Sequence, residues 1–254
     1  MPTVTRLNIA PVKGLALESR TEIQLEASGV LEDRRFYFVD PTGRLVDGLT
    51  AGPLVRVAAW TDPDASALRM TLPDGQIVEG EVRLAEPIET PIYGRTAVGH
   101  VVDGPWASAL EPLAGRPLRL VRVDEPGRTR AEHPATLLGD GSLDMLAQQL
   151  GVPAVDPRRF RMLIELTGAA AHEEDTWCGR RVAIGSAILA ISKPVPRCAI
   201  TTQDPDTGVR DLDTLRTIIA YRGLRDGKDI DFGVWGEVER PGSIRLGDEV
   251  RLLD

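Results

Sequence analysis

The feature that most constrains this chain is its punctuation. Short runs of alternating apolar and polar residues are cut again and again by Gly, Pro and Asp, and the chain carries 25 Gly and 19 Pro. Alternation sends successive side chains to opposite faces of a strand, and frequent turn residues end each run before a long helix can form. Thr21-Glu22-Ile23-Gln24-Leu25 alternates strictly, and Val4 to Ile9 does so in part. Arg35 to Asp40 runs into the turn Asp40-Pro41-Thr42-Gly43-Arg44. Leu68 to Leu72 and Gln76 to Val78 flank Pro73-Asp74-Gly75 and read as a hairpin, after which Val82-Arg83-Leu84 continues the alternation. Strands so closely spaced predict a barrel or sandwich.

The pattern changes in the middle. Trp106 to Leu113 predicts a short helix after Pro105. Ser142 to Leu150 predicts a better one, with Ser142 as N-cap, an apolar face of Leu143, Leu146, Ala147 and Leu150, and Gly151 as the stop. Strands are predicted at Arg161 to Leu166, Arg181 to Ile184, Ala187 to Ile191 and Arg197 to Thr202. A helix is predicted at Leu212 to Tyr221, and the turn Gly247-Asp248 separates two closing strands, Ser243 to Leu246 and Val250 to Leu252. No internal repeat or low-complexity tract is present.

Charge narrows the partners. The formal net charge is −8, which disfavours nucleic acid and anionic membrane surfaces as general partners while leaving room for a local basic pocket. No stretch of 18 apolar residues occurs, and Met1 to Ala10 has no apolar h-region, so neither a membrane span nor a targeting segment is expected. The expected compartment is the cytoplasm, with Cys178 and Cys198 as reduced thiols. Two cysteines cannot supply the four thiolates of an iron–sulfur cluster. No Gly-rich phosphate loop of the Walker or dinucleotide type is found. His100, His133 and His172 are too dispersed to read as a metal cluster.

One run carries chemistry. In Pro194-Val195-Pro196-Arg197-Cys198-Ala199-Ile200-Thr201-Thr202, a lone thiol follows a guanidinium and precedes two hydroxyls, and Asp204-Pro205-Asp206-Thr207-Gly208 then forms a turn. Arg197 favours the thiolate of Cys198, the form a soft metal ligand must take. On spacing alone, a buried structural cysteine is the competing reading.

The whole run resembles the MOSC family, in which an Arg-Cys, two hydroxyl residues and an Asp-Pro-x-Thr-Gly turn occur in this arrangement. The likeness continues along the chain: Pro11-Val12-Lys13, the segment Gly29 to Phe36 with its Asp33-Arg34, Ser142-Leu143, Arg159-Phe160-Arg161, Glu174-Asp175-Thr176-Trp177 with Ile184-Gly185, and Pro241 to Asp248. Mitochondrial amidoxime-reducing components belong to the same broad family. The resemblance implies a mostly β fold with a few helices, an N-terminal β-rich domain (1–105) packed on a MOSC β-barrel (106–254). It implies a molybdenum–molybdopterin cofactor between the two, with Cys198 on the metal and as the catalytic residue. Lys13, Arg34 and Arg161 would hold the pterin phosphate, Ser142 would add donors from a helix start, and Arg197 would sit beside the ligand cysteine.

The implied activity is that of an oxidoreductase acting on N-oxygenated small molecules. Its electrons would come from a separate ferredoxin, flavoprotein or cytochrome. The alternatives are a sulfur-carrier or cofactor-delivery protein with a Cys198 persulfide, and a metal-free binding protein on the same fold. This chain departs from the family pattern at Gly14 and Pro196, where a Ser is common, at Met162-Leu163, where Pro-Asn is frequent, and at Trp235, where a Tyr is found. Plainer readings stand beside these: Lys13 as a solvated lysine, Arg34 and Arg35 as a surface pair (against which strand alternation puts one in and one out), Arg161 paired with Asp156 or Glu165, Ser142 as a helix cap only, Trp235 as core, Cys178 as a small buried hydrophobe, and Glu173-Glu174-Asp175 as a solvated loop.

Overall fold

A computed structural model describes residues 1–253. The chain is mostly β, with three α-helices and four sheets among the described residues. The largest sheet has eight strands, in the order β18 (Val250–Leu253), β14 (Arg181–Ile184), β15 (Ala187–Pro196), β16 (Asp231–Arg240), β12 (Ala135–Gly139), β13 (Ile164–Thr167), β1 (Thr3–Ile9) and β2 (Glu18–Arg20). It curls until its outer strand returns to β1: Thr3 bridges Glu249, and Val250 N–H donates to the Pro2 carbonyl at 2.9 Å. Leu7, Ile9, Ile164, Leu189 and Val234 fill the inside, each fully buried. β12 and β13 are its parallel pair, and a parallel pair needs a long crossover. Helix α2 (Asp140–Leu150) supplies it.

A five-stranded sheet runs β5 (Leu45–Val46), β4 (Phe36–Val39), β11 (Arg119–Val123), β10 (Arg95–Asp103) and β9 (Arg83–Ile92). A three-stranded sheet holds β6 (Ala58–Thr61), β7 (Ala67–Thr71) and β8 (Ile77–Glu81), and β17 (Gly242–Arg245) pairs with β3 (Glu22–Leu25). Helix α1 (Trp106–Ala114) closes the second core, where Trp106 packs with Leu54, Met70 and Leu110. The two halves exchange strands: β1 joins the large sheet, and β11 joins the sheet of β4 and β10. A cut at 105/106 therefore does not separate the sheets. No helix among the described residues is long and apolar enough to cross a membrane.

The alternation in Glu22–Leu25, the hairpin of β7 and β8, and the helices at 106 and 140 match expectation. Three local expectations fail for physical reasons. The strand expected from Arg161 begins at Ile164, because Asp156-Pro157 starts a 3-10 turn (Pro157–Phe160) that Arg161 ends in the left-handed region at φ 54°. The strand expected at Arg197 to Thr202 does not form: β15 ends at Pro196, Arg197 and Cys198 are a short link, and Ala199–Thr202 is a 3-10 turn capped by Cys198. Ser142 is not an N-cap. Gly139 takes that position, and Asp140 in the first turn accepts from Thr167 Oγ1 at 2.6 Å and from the Gly168 N–H at 3.1 Å, tying α2 to β13.

Candidate functional site

Six segments converge on a cavity of about 170 Å3 between the large sheet and the five-stranded sheet. Lys13 follows β1, Arg34 precedes β4, Asp47 follows β5, and Tyr93 is the turn of the β9–β10 hairpin. Arg161 ends its 3-10 turn, and Arg197 and Cys198 follow β15. Five of the six residues expected to hold a cofactor thus line one cavity. They come from both halves of the chain.

Lys13 is buried, and its ammonium donates to the Tyr93 hydroxyl at 2.9 Å and to the Thr129 carbonyl at 3.1 Å. It is not a solvated lysine. Burial and the nearby Arg34 charge bring its pKa down to about 7. Its neighbour Gly14 sits at φ 86°, where a Cβ would come within 2.9 Å of the Asp47 Cα and the Gly48 nitrogen. That contact accounts for glycine here: a serine would push the loop of Asp47 away from the cavity.

Arg34 and Arg35 do not divide as strand neighbours would. Arg34 stands in the left-handed region at φ 57°, before β4 begins, and lines the cavity half-buried, while Arg35 is buried. Arg34 donates to Asp33 at 2.5 Å, and Asp33 also accepts from Arg130 Nε at 2.9 Å and the Ala10 N–H at 2.8 Å. Burial alone would raise the Asp33 carboxyl; the Arg34 and Arg130 charges and these hydrogen bonds outweigh it and hold it below its ordinary value. Asp33 thereby fixes the loop that presents Arg34.

Arg161 pairs with neither Asp156 nor Glu165. It donates to the Leu15 carbonyl at 2.6 Å, and burial followed by the Arg34 charge lowers its pKa to about 10. Arg197 donates to the Phe160 carbonyl and to Met162 Sδ, its guanidinium 5.2 Å from the Phe160 ring centroid. Its Nε is buried with no partner. Burial lowers Arg197 to about 10 although Cys198 acts in the opposite direction. None of Lys13, Arg161 and Arg197 makes an ion pair among the described residues. Asp33 and Asp47 line the same cavity and offset part of this charge, but neither lies within ion-pair distance of these three cations, and a bound anion would offset the rest.

Cys198 is exposed at the cavity edge, which removes the buried structural reading. Its carbonyl accepts from Thr201 N–H and Oγ1, both at 3.2 Å, and the Thr201 and Thr214 hydroxyls meet at 2.8 Å. The following turn is held hard. Arg158 grips Asp206 at 2.7 and 2.8 Å, Arg159 grips Asp211 at 2.7 Å through both nitrogens, and Gly208 packs so closely on Gly52 that a Cβ would sit 2.0 Å from the Gly52 oxygen. The thiol is thus presented by a loop tied to both halves. Phe160, Val195 and Trp235 form the apolar part of the lining, with the Arg197 guanidinium over the Phe160 ring. Trp235 is both core and pocket. No three His, Cys, Asp or Glu residues are grouped to hold a metal ion among the described residues.

Ser142 lies elsewhere. It is fully buried, donates to Glu174 at 2.7 Å and accepts from the His172 N–H at 2.9 Å, so its hydroxyl is spent inside the protein and does not line the cavity. Glu174 is fully buried too, in a 3-10 turn rather than a solvated loop. Cys178 is half-buried against the core of the large sheet. Tyr93, Asp47 and Arg130 line the cavity without having been singled out, and so does His133, which the sequence offers only as one of three dispersed histidines. Of these, only Tyr93-Gly94 carried a local signal, a two-residue hairpin turn.

Comparisons with known proteins agree with this geometry. A family model described as "MOSC domain" matches residues 115–251, and one described as "MOSC N-terminal beta barrel domain" matches residues 1–98. The human "Mitochondrial amidoxime reducing component 2" is 38% identical over 98% of this chain and 82% of its own length. The human "Mitochondrial amidoxime-reducing component 1" is 27% identical over 99% of this chain and 83% of its own length. "Molybdenum cofactor sulfurase" of Caenorhabditis briggsae is 26% identical over 100% of this chain, which spans only 36% of that protein.

Proposed function

Because the chain belongs to the MOSC family and is related to the mitochondrial amidoxime-reducing components, we propose that it is a molybdenum-dependent oxidoreductase for N-oxygenated small molecules. Its cofactor is a molybdenum–molybdopterin held in the cavity, with Cys198 as the protein's ligand to the metal. The observation that carries this reading is the convergence of Lys13, Arg34, Arg161 and Arg197 beside an exposed Cys198.

The residues fit the group. One thiolate cannot chelate a metal by itself, so a metal at Cys198 must arrive with its other ligands already attached, as in a pterin dithiolene. Lys13, Arg34 and Arg161 suit a dianionic phosphate, Lys13 as a point charge and the arginines as forks. The Phe160, Val195 and Trp235 wall suits a flat ring system. When bound, the cofactor supplies a two-electron redox centre. The protein supplies the thiolate, the phosphate clamp and the dry wall. An arriving phosphate also restores the Lys13 charge: with its pKa near 7, the free lysine is partly neutral at neutral pH. Electrons come from a separate ferredoxin, flavoprotein or cytochrome. The cytoplasm, where both thiols stay reduced, is the proposed compartment.

The test is turnover by the purified chain, made in a host that produces the cofactor. Reduction of an amidoxime or hydroxylamine with an artificial electron donor, in proportion to molybdenum content and absent with NADH alone, is the expected result. A fully molybdenum-loaded preparation that is inert on amidoximes, hydroxylamines and N-oxides contradicts it. The exposure of Cys198 also suits a second reading, persulfide transfer. Rapid persulfide labelling at Cys198 without any reductase turnover is the outcome that selects it.

A further inference from the structure

Arg161 stands between two cavities. One is the site already described; the other, about 220 Å3, opens on its far side. Leu17, Pro73 and Arg56 form part of that second cleft, and Arg158 and Asp206 complete its polar lining. Three guanidinium groups therefore face a single carboxylate, in a chain whose net charge is −8.

The carboxylate is already satisfied. Arg158 grips both Asp206 oxygens, at 2.7 and 2.8 Å, and a second acid, Asp156, at 2.6 Å. Arg158 is thus shared by two carboxylates, a trio with one net negative charge that holds the cleft's shape and leaves Arg158 no charge to offer. The open charge belongs to Arg56 and Arg161. Arg56 ends the 3-10 turn Gly52–Arg56, and its exposed side chain makes no hydrogen bond or ion pair among the described residues. Arg161 uses Nη2 on the Leu15 carbonyl, and no carboxylate pairs with it. A planar fork with unused donors beside a second free cation is the arrangement that binds phosphate oxygens.

We propose that this cleft is a second anion subsite, built to take a phosphate monoester between Arg56 and Arg161. It rests on the proposed function only in sharing Arg161 with the cofactor cavity. The phosphate has two sources with the same chemistry: a nucleotide tail on the pterin, reaching past Arg161, or a separate phosphorylated metabolite.

The experiment is calorimetric titration of the full chain with inorganic phosphate. The cofactor-free chain is expected to bind two phosphates. Lys13→Ala should weaken the cofactor-cavity site and leave cleft binding unchanged, whereas Arg56→Ala should leave cofactor-cavity binding unchanged and weaken cleft binding about tenfold, the scale of one charge-assisted contact. Arg56 is exposed, so its loss leaves the fold intact. One phosphate, lost with Lys13→Ala and indifferent to Arg56→Ala, overturns the subsite and spares the proposed function. One phosphate, lost with Arg56→Ala only, supports the subsite and counts against the cofactor clamp. The source is read from the loaded protein. Persisting cleft binding with a plain pterin monophosphate identifies a separate metabolite. A blocked cleft with a pterin nucleotide on extraction identifies the tail. A blocked cleft with a plain pterin monophosphate overturns the proposal.

Discussion

Two part-buried polar clusters flank the Phe160–Phe232 stack, whose ring centroids are 4.5 Å apart, and they treat charge in opposite ways. On the Phe232 side, next to α2 and α3 (Thr214–Arg222), the cluster pairs its charges internally, although Glu174 Oε2 and Asp175 Oδ1 stay buried without a partner. Arg222 pairs with Asp175 and donates to His172, Tyr221 meets His172 at 3.2 Å, and Ser142 joins Glu174. Burial and the Arg222 charge push His172 down to about 4 and keep it neutral, while burial raises Glu174 to about 7 and favours its protonated form. On the Phe160 side, Lys13, Arg161 and Arg197 are depressed by burial, and no ion pair answers any of them. The first cluster pairs its arginine with a carboxylate of its own; the second leaves three cations with no carboxylate in ion-pair reach among the described residues. Burial of polar residues does not by itself mark a site, but an unanswered sign of charge does.

The comparison can be broken most forcefully at Arg161. Arg161→Ala should weaken cofactor retention about a hundredfold, the scale of truncating one partner of a buried charged contact, while the melting temperature of the cofactor-free chain holds or rises. Wild-type retention would remove Arg161 from the clamp. Lys13→Met comes next. With its pKa near 7, the free lysine is charged below that pH and loses its proton above it, so a bound phosphate must draw a proton in. Calorimetry of phosphate binding at pH 8, in buffers of different ionisation enthalpy, should show proton uptake in the wild type and none in Lys13→Met, with affinity about tenfold lower.

The closed cluster gives a smaller effect of another kind. Glu174 binds its proton more tightly folded than unfolded, since its pKa rises from 4.5 to about 7. The stability this proton contributes is complete below pH 4.5 and is lost as pH climbs through 7. Glu174→Gln keeps a neutral partner for Ser142 and should flatten part of that decline in urea melts at pH 5 and pH 8, without changing molybdenum content. Glu165, also raised to about 7 by burial, retains the rest. An unchanged slope would mean that Glu174 is ionised in the folded protein. Tyr93→Phe, which removes the hydroxyl beside Lys13, should have the least effect: a few-fold loss in phosphate affinity with no change in fold.

What could be read in the sequence divides along the same line. Strand alternation, the Pro73-Asp74-Gly75 hairpin and the helix before Gly151 are local signals, and each matches the structure. The cations of the cavity were legible because Pro11-Val12-Lys13, Asp33-Arg34 and Arg159-Phe160-Arg161 resemble a family pattern, although periodicity places Arg161 on a strand that it does not occupy. The left-handed backbones of Arg34 and Arg161, at φ 57° and 54°, are set by long-range contacts that no window of sequence contains. Ser142 was misplaced because a serine before an apolar helical face looks like a cap; its actual partners, Glu174 and His172, lie some thirty residues downstream. Asp47 and His133 carried no signal, since only the meeting of the two halves brings them to the cavity.

The central claim is that Cys198 is the protein's bond to a metal brought by the cofactor. It is tested most directly by measuring molybdenum and pterin per chain in three proteins purified side by side: wild type, Cys198→Ser and Cys178→Ser. A hydroxyl is a harder and far less acidic ligand than a thiol, so Cys198→Ser should lose its molybdenum while keeping the wild-type melting profile. Cys178→Ser, changed at a half-buried thiol away from the cavity, should keep it. Molybdenum in Cys198→Ser equal to that of the wild type would contradict the account.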